Sequence, residues 1–394
     1  MSRVNPAVFV VPYIDLCRLI TTDNTPSDKI AKQPSKVKAY MDLKKARLST
    51  LVVATTAAGF LAAGGPLSPI TLSCCCLGTA LCSASASAFN QIFEKDLDAR
   101  MKRTIHRPLV QGTLTMTEAT IAATACGVAG TSILAYTTDP VTTFLGASNI
   151  VLYAGLYTYM KPRSVYNTWV GAVVGAIPPV MGWTAATGGQ LWHVEALLLG
   201  STLYLWQMPH FFALSYMHRL DYARGGFQMV PVLESNGDET SRIITRYTWY
   251  LSSIPVLATL TDVTSSMFCY EGVVLNAYAL HVAYKFKYDR TNANARKVFL
   301  TSLWYLPCLL MLFLLHSKTW DDVDEAKEEN PLRGYISSYI HAIRDKGRQL
   351  CLHETAVAKT EDGEKACPVI LGQKATHQVA ENATQVTSLK ESQA

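Results

Sequence analysis

Apolar stretches of membrane-spanning length recur through residues 49–317, and short polar loops separate them. About 20 such residues cross the hydrocarbon core of a bilayer as one helix, since a helix rises ~1.5 Å per residue. The pattern therefore predicts an all-α polytopic membrane protein. We expect nine membrane helices, over the approximate windows 49–66, 70–90, 115–136, 141–160, 168–186, 193–216, 247–264, 268–285 and 297–317.

Lysine and arginine alternate between the loops that join these windows. The loops after the second, fourth, sixth and eighth windows are rich in them, whereas the loops after the first, third, fifth and seventh contain none. Basic loops stay on the cytoplasm-like side of a membrane. The alternation supports the helix count, because one missed or extra helix would disrupt it. An odd number of spans places the two ends of the chain on opposite sides.

The composition divides the chain into three parts. Only 16% of the 394 residues are charged, against roughly a quarter in soluble proteins. Residues 1–48 form a polar, basic segment, 49–317 a membrane domain, and 318–394 a charged tail with a short helix near 332–349 and disorder beyond about 355. The net charge of +5 arises in loops and in the N-terminal segment, which indicates no nucleic-acid partner.

One amide and two carboxylates follow the second window at a spacing of four residues. They are Asn90, Glu94 and Asp98, which share one face if the helix continues. Ionisable groups at the mouth of a membrane helix are costly and indicate function. Magnesium binds proteins through one or two carboxylates plus phosphate oxygens. The face predicts a magnesium–diphosphate site, and the alternative is a solvated loop that balances its own charges.

Cations accompany these acids on the same side of the membrane. Arg103 and Arg107 lie in the same loop and are suited to bidentate contacts with a diphosphate. Asp221 and Arg224 repeat the acid–arginine pattern in the loop after the sixth window. Lys161 precedes the fifth window, where it is either a phosphate ligand or an ordinary interfacial anchor.

A histidine lies within the sixth window. His210 directly follows Pro209, and proline frees a backbone carbonyl, so the helix is expected to kink there. The histidine is either a packed core residue or a group that contacts a substrate, and the residues leave both readings open.

Taken together, these motifs resemble the UbiA superfamily of intramembrane prenyltransferases. Within it, they are most similar to the branch of protoheme IX farnesyltransferases, and the resemblance covers about residues 40–317. The motifs are Asn90-x-x-x-Glu94-x-x-x-Asp98-x-x-Met101-x-Arg103-Thr104-x-x-Arg107-Pro108, Tyr166-Asn167-Thr168, the runs 176–183 and 206–211, and Asp221-Tyr222-x-Arg224-Gly225-Gly226.

The resemblance implies a fold and a reaction. The fold is a nine-helix bundle whose central cavity opens to lipid beneath the two acidic loops. The reaction transfers the farnesyl group of farnesyl diphosphate to a vinyl group of haem B, giving haem O on the route to haem A. Haem B is a substrate, Mg²⁺ is the cofactor, and haem A synthase or a second copy of the chain is a candidate partner. The implied location is the mitochondrial inner membrane, with the basic loops and the N-terminus facing the matrix.

Site roles also follow from the resemblance. The expected metal and catalytic residues are Asn90, Glu94, Asp98 and Asp221. The expected diphosphate ligands are Lys102, Arg103, Arg107, Lys161 and Arg224. His210 is expected to contact haem.

The motifs depart from the family pattern in two places. Glu94 stands where the first signature usually has aspartate, and a single Asp221, followed by arginine and glycines, stands where the wider superfamily has paired aspartates. The second departure favours the haem branch over a UbiA-type enzyme that acts on an aromatic or quinone precursor. A polytopic transporter is a more distant alternative, because transporters carry polar, broken helices near the midplane in repeated halves.

Overall fold

The computed structural model describes residues 35–64, 68–321 and 331–349, and these ranges are helical with no β-strand. The helices are α1 (Lys36–Leu43), α2 (Ala46–Ala62), α3 (Pro69–Phe93), α4 (Lys95–Asp98), α5 (Met116–Thr137), α6 (Pro140–Ile150), a π-helix (Val151–Tyr157), α7 (Thr158–Met160), α8 (Asn167–Thr187), α9 (Val194–Met217), α10 (Arg219–Gly225), α11 (Val230–Leu233), α12 (Asp238–Ser252), α13 (Ile254–Leu260), α14 (Ser266–Tyr288), α15 (Asn292–His316), a 3₁₀-helix (Lys318–Trp320) and α16 (Pro331–Gln349).

Each predicted window overlaps a helix, but the helices do not all have the form of a simple span. Among the described residues, α3, α5, α8 and α15 are long and apolar enough to cross a membrane, and α2 is a shorter apolar helix. The fourth window comprises α6, the π-helix and α7, and the seventh is divided between α12 and α13 near Pro255. Four candidate spans in a helical protein are therefore present, whereas nine spans stay a prediction.

Side-chain caps fix the ends of the two helices that flank the first acidic loop. Before α3, the Ser68 side chain accepts a hydrogen bond from the Thr71 backbone N–H. At the start of α5, Thr115 and Glu118 form a capping box, in which each side chain accepts from the other residue's backbone N–H. The capping box defines where the loop between α3 and α5 ends, and the Ser68 cap fixes the first turn of α3.

Glycines bring the backbones of α2 and α8 into direct contact. A Cβ atom on Gly182 would lie 1.9 Å from the Thr56 carbonyl oxygen, and one on Gly59 would lie 1.9 Å from the Pro179 carbonyl oxygen. Small residues at helix crossings allow this close approach in membranes. The contact holds α2 firmly against α8.

Helix α16 packs onto the end of α15 and corresponds to the short helix predicted in the tail. Arg344 donates to the backbone oxygens of Leu315 (2.6 Å) and Ser317 (2.9 Å), and its guanidinium lies 2.7 Å from the Asp321 carboxylate. The disorder expected beyond residue 355 and most of the basic N-terminal segment lie outside the described residues.

Candidate active site

The three predicted acidic and amide side chains remain on one face although the helix is interrupted. Helix α3 ends at Phe93, Glu94 departs from helical geometry (φ −96°, ψ 4°), and α4 begins at Lys95. The hydrogen bonds Glu94 N–H to Asn90 O (3.0 Å) and Asp98 N–H to Glu94 O (2.8 Å) keep the four-residue repeat. Asn90, Glu94 and Asp98 are all buried.

Two of the predicted cations neutralise the carboxylates. Lys161 Nζ lies 2.7 Å from Glu94 Oε1, and Arg107 Nη1 lies 3.9 Å from Glu94 Oε2. Arg107 also pairs directly with Asp98 Oδ2. Burial raises the pKa of Asp98 and the Arg107 guanidinium opposes that rise. Burial alone would lower the pKa of Lys161, but the Glu94 carboxylate raises it above its ordinary value.

Asn90 contacts a lysine that the sequence did not single out. Lys45 Nζ donates to Asn90 Oδ1 (3.0 Å) and to the Tyr153 hydroxyl (3.2 Å). Asn90 Nδ2 donates to Thr158 Oγ1 (2.9 Å). The amide oxygen expected to bind metal therefore already accepts a hydrogen bond from a cation. Lys45 belongs to the polar, basic segment 1–48, and no spacing rule distinguishes it from its neighbour Lys44.

The second acidic region contacts the first loop through its backbone. The Asp221 carboxylate accepts from the N–H groups of Lys102 (2.8 Å) and Arg103 (3.1 Å), and Arg224 Nη1 lies 3.7 Å from Asp221 Oδ1. The Arg103 side chain donates to the Tyr222 hydroxyl at 3.0 Å. The two regions are thus in contact, and here Asp221 holds the loop rather than facing the other carboxylates.

A cavity of about 660 Å³ extends from these charges into the helix bundle, within the range of small-molecule sites. Its wall combines the polar mouth with apolar side chains of the helices, including Val52, Pro178 and Met181. Among the described residues, the predicted site residues in its wall are Glu94, Asp98, Arg103, Arg107, Lys161 and His210. Asn90, Lys102, Asp221 and Arg224 lie outside that wall.

His210 is buried in the wall and held by aromatic rings. Its Nδ1 lies 2.8 Å from Ser302 Oγ, and its ring centroid is 4.7 Å from that of Trp206 and 4.8 Å from that of Phe299. Helix α9 continues through Pro209. With Nδ1 engaged by Ser302, Nε2 is the ring nitrogen that a bound molecule would meet.

The donor set fits a divalent cation that shares its coordination with a phosphate. Among the described residues, no three or more His, Cys, Asp or Glu side chains are grouped so as to hold a metal ion by themselves. Glu94 and Asp98 supply two carboxylates, and Asp98 Oδ1 is buried with no hydrogen-bond partner among the described residues. Magnesium commonly takes one or two carboxylates and completes its shell with phosphate oxygens and water.

Sequence comparisons relate the chain to prenyltransferases. Residues 51–314 match the UbiA prenyltransferase family. The chain is 39% identical over 313 residues to "Protoheme IX farnesyltransferase, mitochondrial" of Arabidopsis thaliana, which covers 79% of this chain and 72% of that protein. It is 44% identical over 272 residues to the human protein of the same name. This aligned region covers 69% of this chain and 60% of the human protein.

Solved structures of low sequence identity share the fold. One, described as digeranylgeranylglyceryl phosphate synthase, superposes with a TM-score of 0.60 at 12% identity, covering 72% of this chain and 99% of its own. Another is a UbiA homologue from Archaeoglobus fulgidus bound to DMAPP and Mg²⁺, with a TM-score of 0.51 at 13% identity, covering 70% of this chain and 99% of its own.

Proposed function

Because the chain belongs to the UbiA prenyltransferase family, we propose that it transfers the farnesyl group of farnesyl diphosphate to a vinyl group of haem B, giving haem O. The observation that carries the proposal is the pair of buried carboxylates and their cations at the mouth of an apolar cavity. The names of the relatives give farnesyl as the transferred group and protoheme IX as its acceptor. We further propose nine spans in the mitochondrial inner membrane, with residues 49–317 as the catalytic domain.

The residues at the mouth perform the first step, ionisation of the allylic carbon–oxygen bond. Negative charge grows on the leaving diphosphate, and Arg103, Arg107 and Lys161 in the wall stabilise it more in the transition state than in the ground state. Glu94 and Asp98 would hold Mg²⁺, which supplies further positive charge to the diphosphate. A UbiA homologue of this fold is described as binding DMAPP with Mg²⁺.

The apolar part of the cavity would serve the second step. It keeps water from the allylic cation until the electron-rich vinyl group attacks. We propose that His210, held in the wall by Ser302 and Trp206, contacts the haem and helps to orient its vinyl group. Lys102 and Arg224, which lie outside the wall, would act on the diphosphate only after a change in the loop.

The proposal predicts a specific product and a metal requirement. Purified protein in lipid nanodiscs, supplied with farnesyl diphosphate, Mg²⁺ and haem B, should form farnesylated haem detectable by mass spectrometry. Chelation with EDTA should lower the rate about 10²-fold or more, because the diphosphate loses charge stabilisation, and added Mg²⁺ should restore it. Prenylation of hydroxybenzoate with haem B left unmodified would assign the chain to a quinone pathway instead.

The contacts of Asp221 predict a kinetic signature. In Asp221→Asn, the amide can accept only one of the two loop N–H groups, so the apparent KM for farnesyl diphosphate should rise about tenfold. The Mg²⁺ concentration that gives half-maximal rate should stay unchanged, because this carboxylate binds backbone rather than metal. A tenfold increase in that Mg²⁺ concentration would instead show that Asp221 is a metal ligand. Magnesium titrations at saturating and limiting farnesyl diphosphate separate the two roles.

A further inference from the structure

Lys45 occupies a strained backbone position immediately before α2. Its φ and ψ angles are 48° and 50°, in the left-handed region, and Lys45 and Asp262 are the non-glycine residues with positive φ in the described ranges. Such backbone geometry costs free energy and persists where the surrounding structure requires it, often at ligand sites. Here it directs a long cationic side chain into the wall of the cavity.

The ammonium group has no acidic partner. Its contacts are the neutral Asn90 amide oxygen and the Tyr153 hydroxyl, and no carboxylate of the described residues lies within 4.0 Å of it. Glu94, which lines the same cavity, is engaged by Lys161 at 2.7 Å. A cation withdrawn from water without a counter-charge is unfavourable.

The side chains of the cavity wall carry a net positive charge, which favours the binding of an anion. In the described structure the wall carries four lysine or arginine side chains and three aspartate or glutamate side chains. A diphosphate ester bound with one Mg²⁺ adds about one negative charge, which would leave the wall close to neutral. An ammonium group has three N–H donors, and two of those of Lys45 have protein acceptors. The third is therefore available to a ligand.

We propose that Lys45 is a substrate-binding residue that donates this third N–H to an oxyanion entering the cavity with a substrate. The inference rests on the proposed function only for the identity of that oxyanion. It is either a phosphate of the prenyl donor or a carboxylate of the porphyrin acceptor. Through Asn90, the lysine also connects the oxyanion to the face that carries Glu94 and Asp98.

Two substitutions separate anion binding from mere orientation of Asn90. Lys45→Gln keeps N–H donors for Asn90 and Tyr153 but removes the charge, whereas Lys45→Met removes both. Lys44→Met is the matched control, since this neighbouring lysine does not line the cavity. If Lys45 only orients Asn90, the glutamine variant should bind ligands like the unsubstituted protein.

The test measures binding directly, so it does not depend on turnover. Calorimetry gives the Kd of Mg²⁺ with inorganic diphosphate, and fluorescence quenching gives the Kd of protoporphyrin IX and of its dimethyl ester. We expect Lys45→Gln and Lys45→Met to raise the Kd of one of these anions about tenfold or more, as for the loss of a charge-assisted hydrogen bond. The Kd values of Lys44→Met should stay unchanged. Weaker diphosphate binding identifies the donor phosphate, and loss of the preference for free porphyrin over its ester identifies the acceptor carboxylate.

The opposite result overturns the inference without touching the proposed function. Unchanged affinities for both anions in Lys45→Gln would show that Lys45 is a structural donor to Asn90, while farnesylation of haem by the unsubstituted protein could still be observed. If the methionine variant does not fold, the glutamine variant is compared with Lys45→Arg, which retains the charge. This comparison also separates anion binding from a structural role. Absence of haem farnesylation, with Lys45-dependent diphosphate binding intact, would instead refute only the assigned acceptor.

Discussion

Replacing Asp98 with asparagine should lower the rate of farnesyl transfer by about three orders of magnitude, while the protein remains folded. The change preserves shape but removes the negative charge that pairs with Arg107 and the unpartnered oxygen Oδ1, which we assign to the metal. Turnover of farnesyl diphosphate and haem B in nanodiscs measures the rate, and the melting temperature, measured in parallel, shows whether the protein remains folded. Because the loss is in metal binding, excess Mg²⁺ should recover part of the rate.

Asp96 offers a control within the same short helix. It lies two residues from Asp98 in α4 and is exposed, whereas Asp98 is buried. Asp96→Asn should therefore retain turnover within about twofold, since exposed charges have weak effects. Normal turnover in Asp98→Asn would remove this carboxylate from the mechanism.

Replacing Lys161 with methionine should damage both catalysis and stability. The ammonium group pairs with Glu94 at 2.7 Å and lies 4.4 Å from the centre of the Tyr157 ring. Its loss leaves the buried Glu94 carboxylate with Arg107, at 3.9 Å, as its one cation among the described residues. We expect kcat/KM for farnesyl diphosphate to fall about 10²-fold or more and the free energy of unfolding to fall by about 3 kcal/mol.

A double variant distinguishes these two effects. Adding Glu94→Gln to Lys161→Met removes the unpaired buried charge, so most of the lost stability should return. Activity should not return, because both groups act on the magnesium diphosphate. Arg163→Met is the control, as Arg163 is exposed and contacts Tyr159 rather than either carboxylate. Recovery of activity in the double variant would show that Lys161 serves only to neutralise Glu94.

The four-residue periodicity correctly predicted that the side chains of the first acidic motif share one face. Asn90, Glu94 and Asp98 were placed on one face by their four-residue spacing, and the backbone hydrogen bonds preserve that spacing across the interruption at Glu94. The alternation of basic loops predicted that Lys161 and Glu94 lie on the same side of the membrane, and the structure brings them into contact. Local rules were sufficient because these groups lie at helix ends.

Other features depend on tertiary contacts that the sequence does not encode locally. Lys45 faces the cavity because of a left-handed backbone conformation, which lysine rarely adopts and no motif indicated. Asp221 was predicted to be a metal ligand, whereas its acceptance of two backbone N–H groups depends on the conformation of the first loop. The windows located helices, yet hydropathy alone did not reveal the division between α12 and α13.

The π-helix between α6 and α7 determines the direction in which the side chains that follow it point from the helix axis. A π-helical turn is closed by i→i+5 hydrogen bonds and so holds about one more residue than an α-helical turn. Tyr153 and Thr158, which reach Lys45 and Asn90, lie within or directly after this turn, and Lys161 follows three residues later. Restoring α-helical winding would turn Lys161 by ~100°, away from Glu94. The distance between a cation and a carboxylate on separate helices thus depends on the one extra residue in this turn. This part of the chain should therefore tolerate substitutions far better than changes in length.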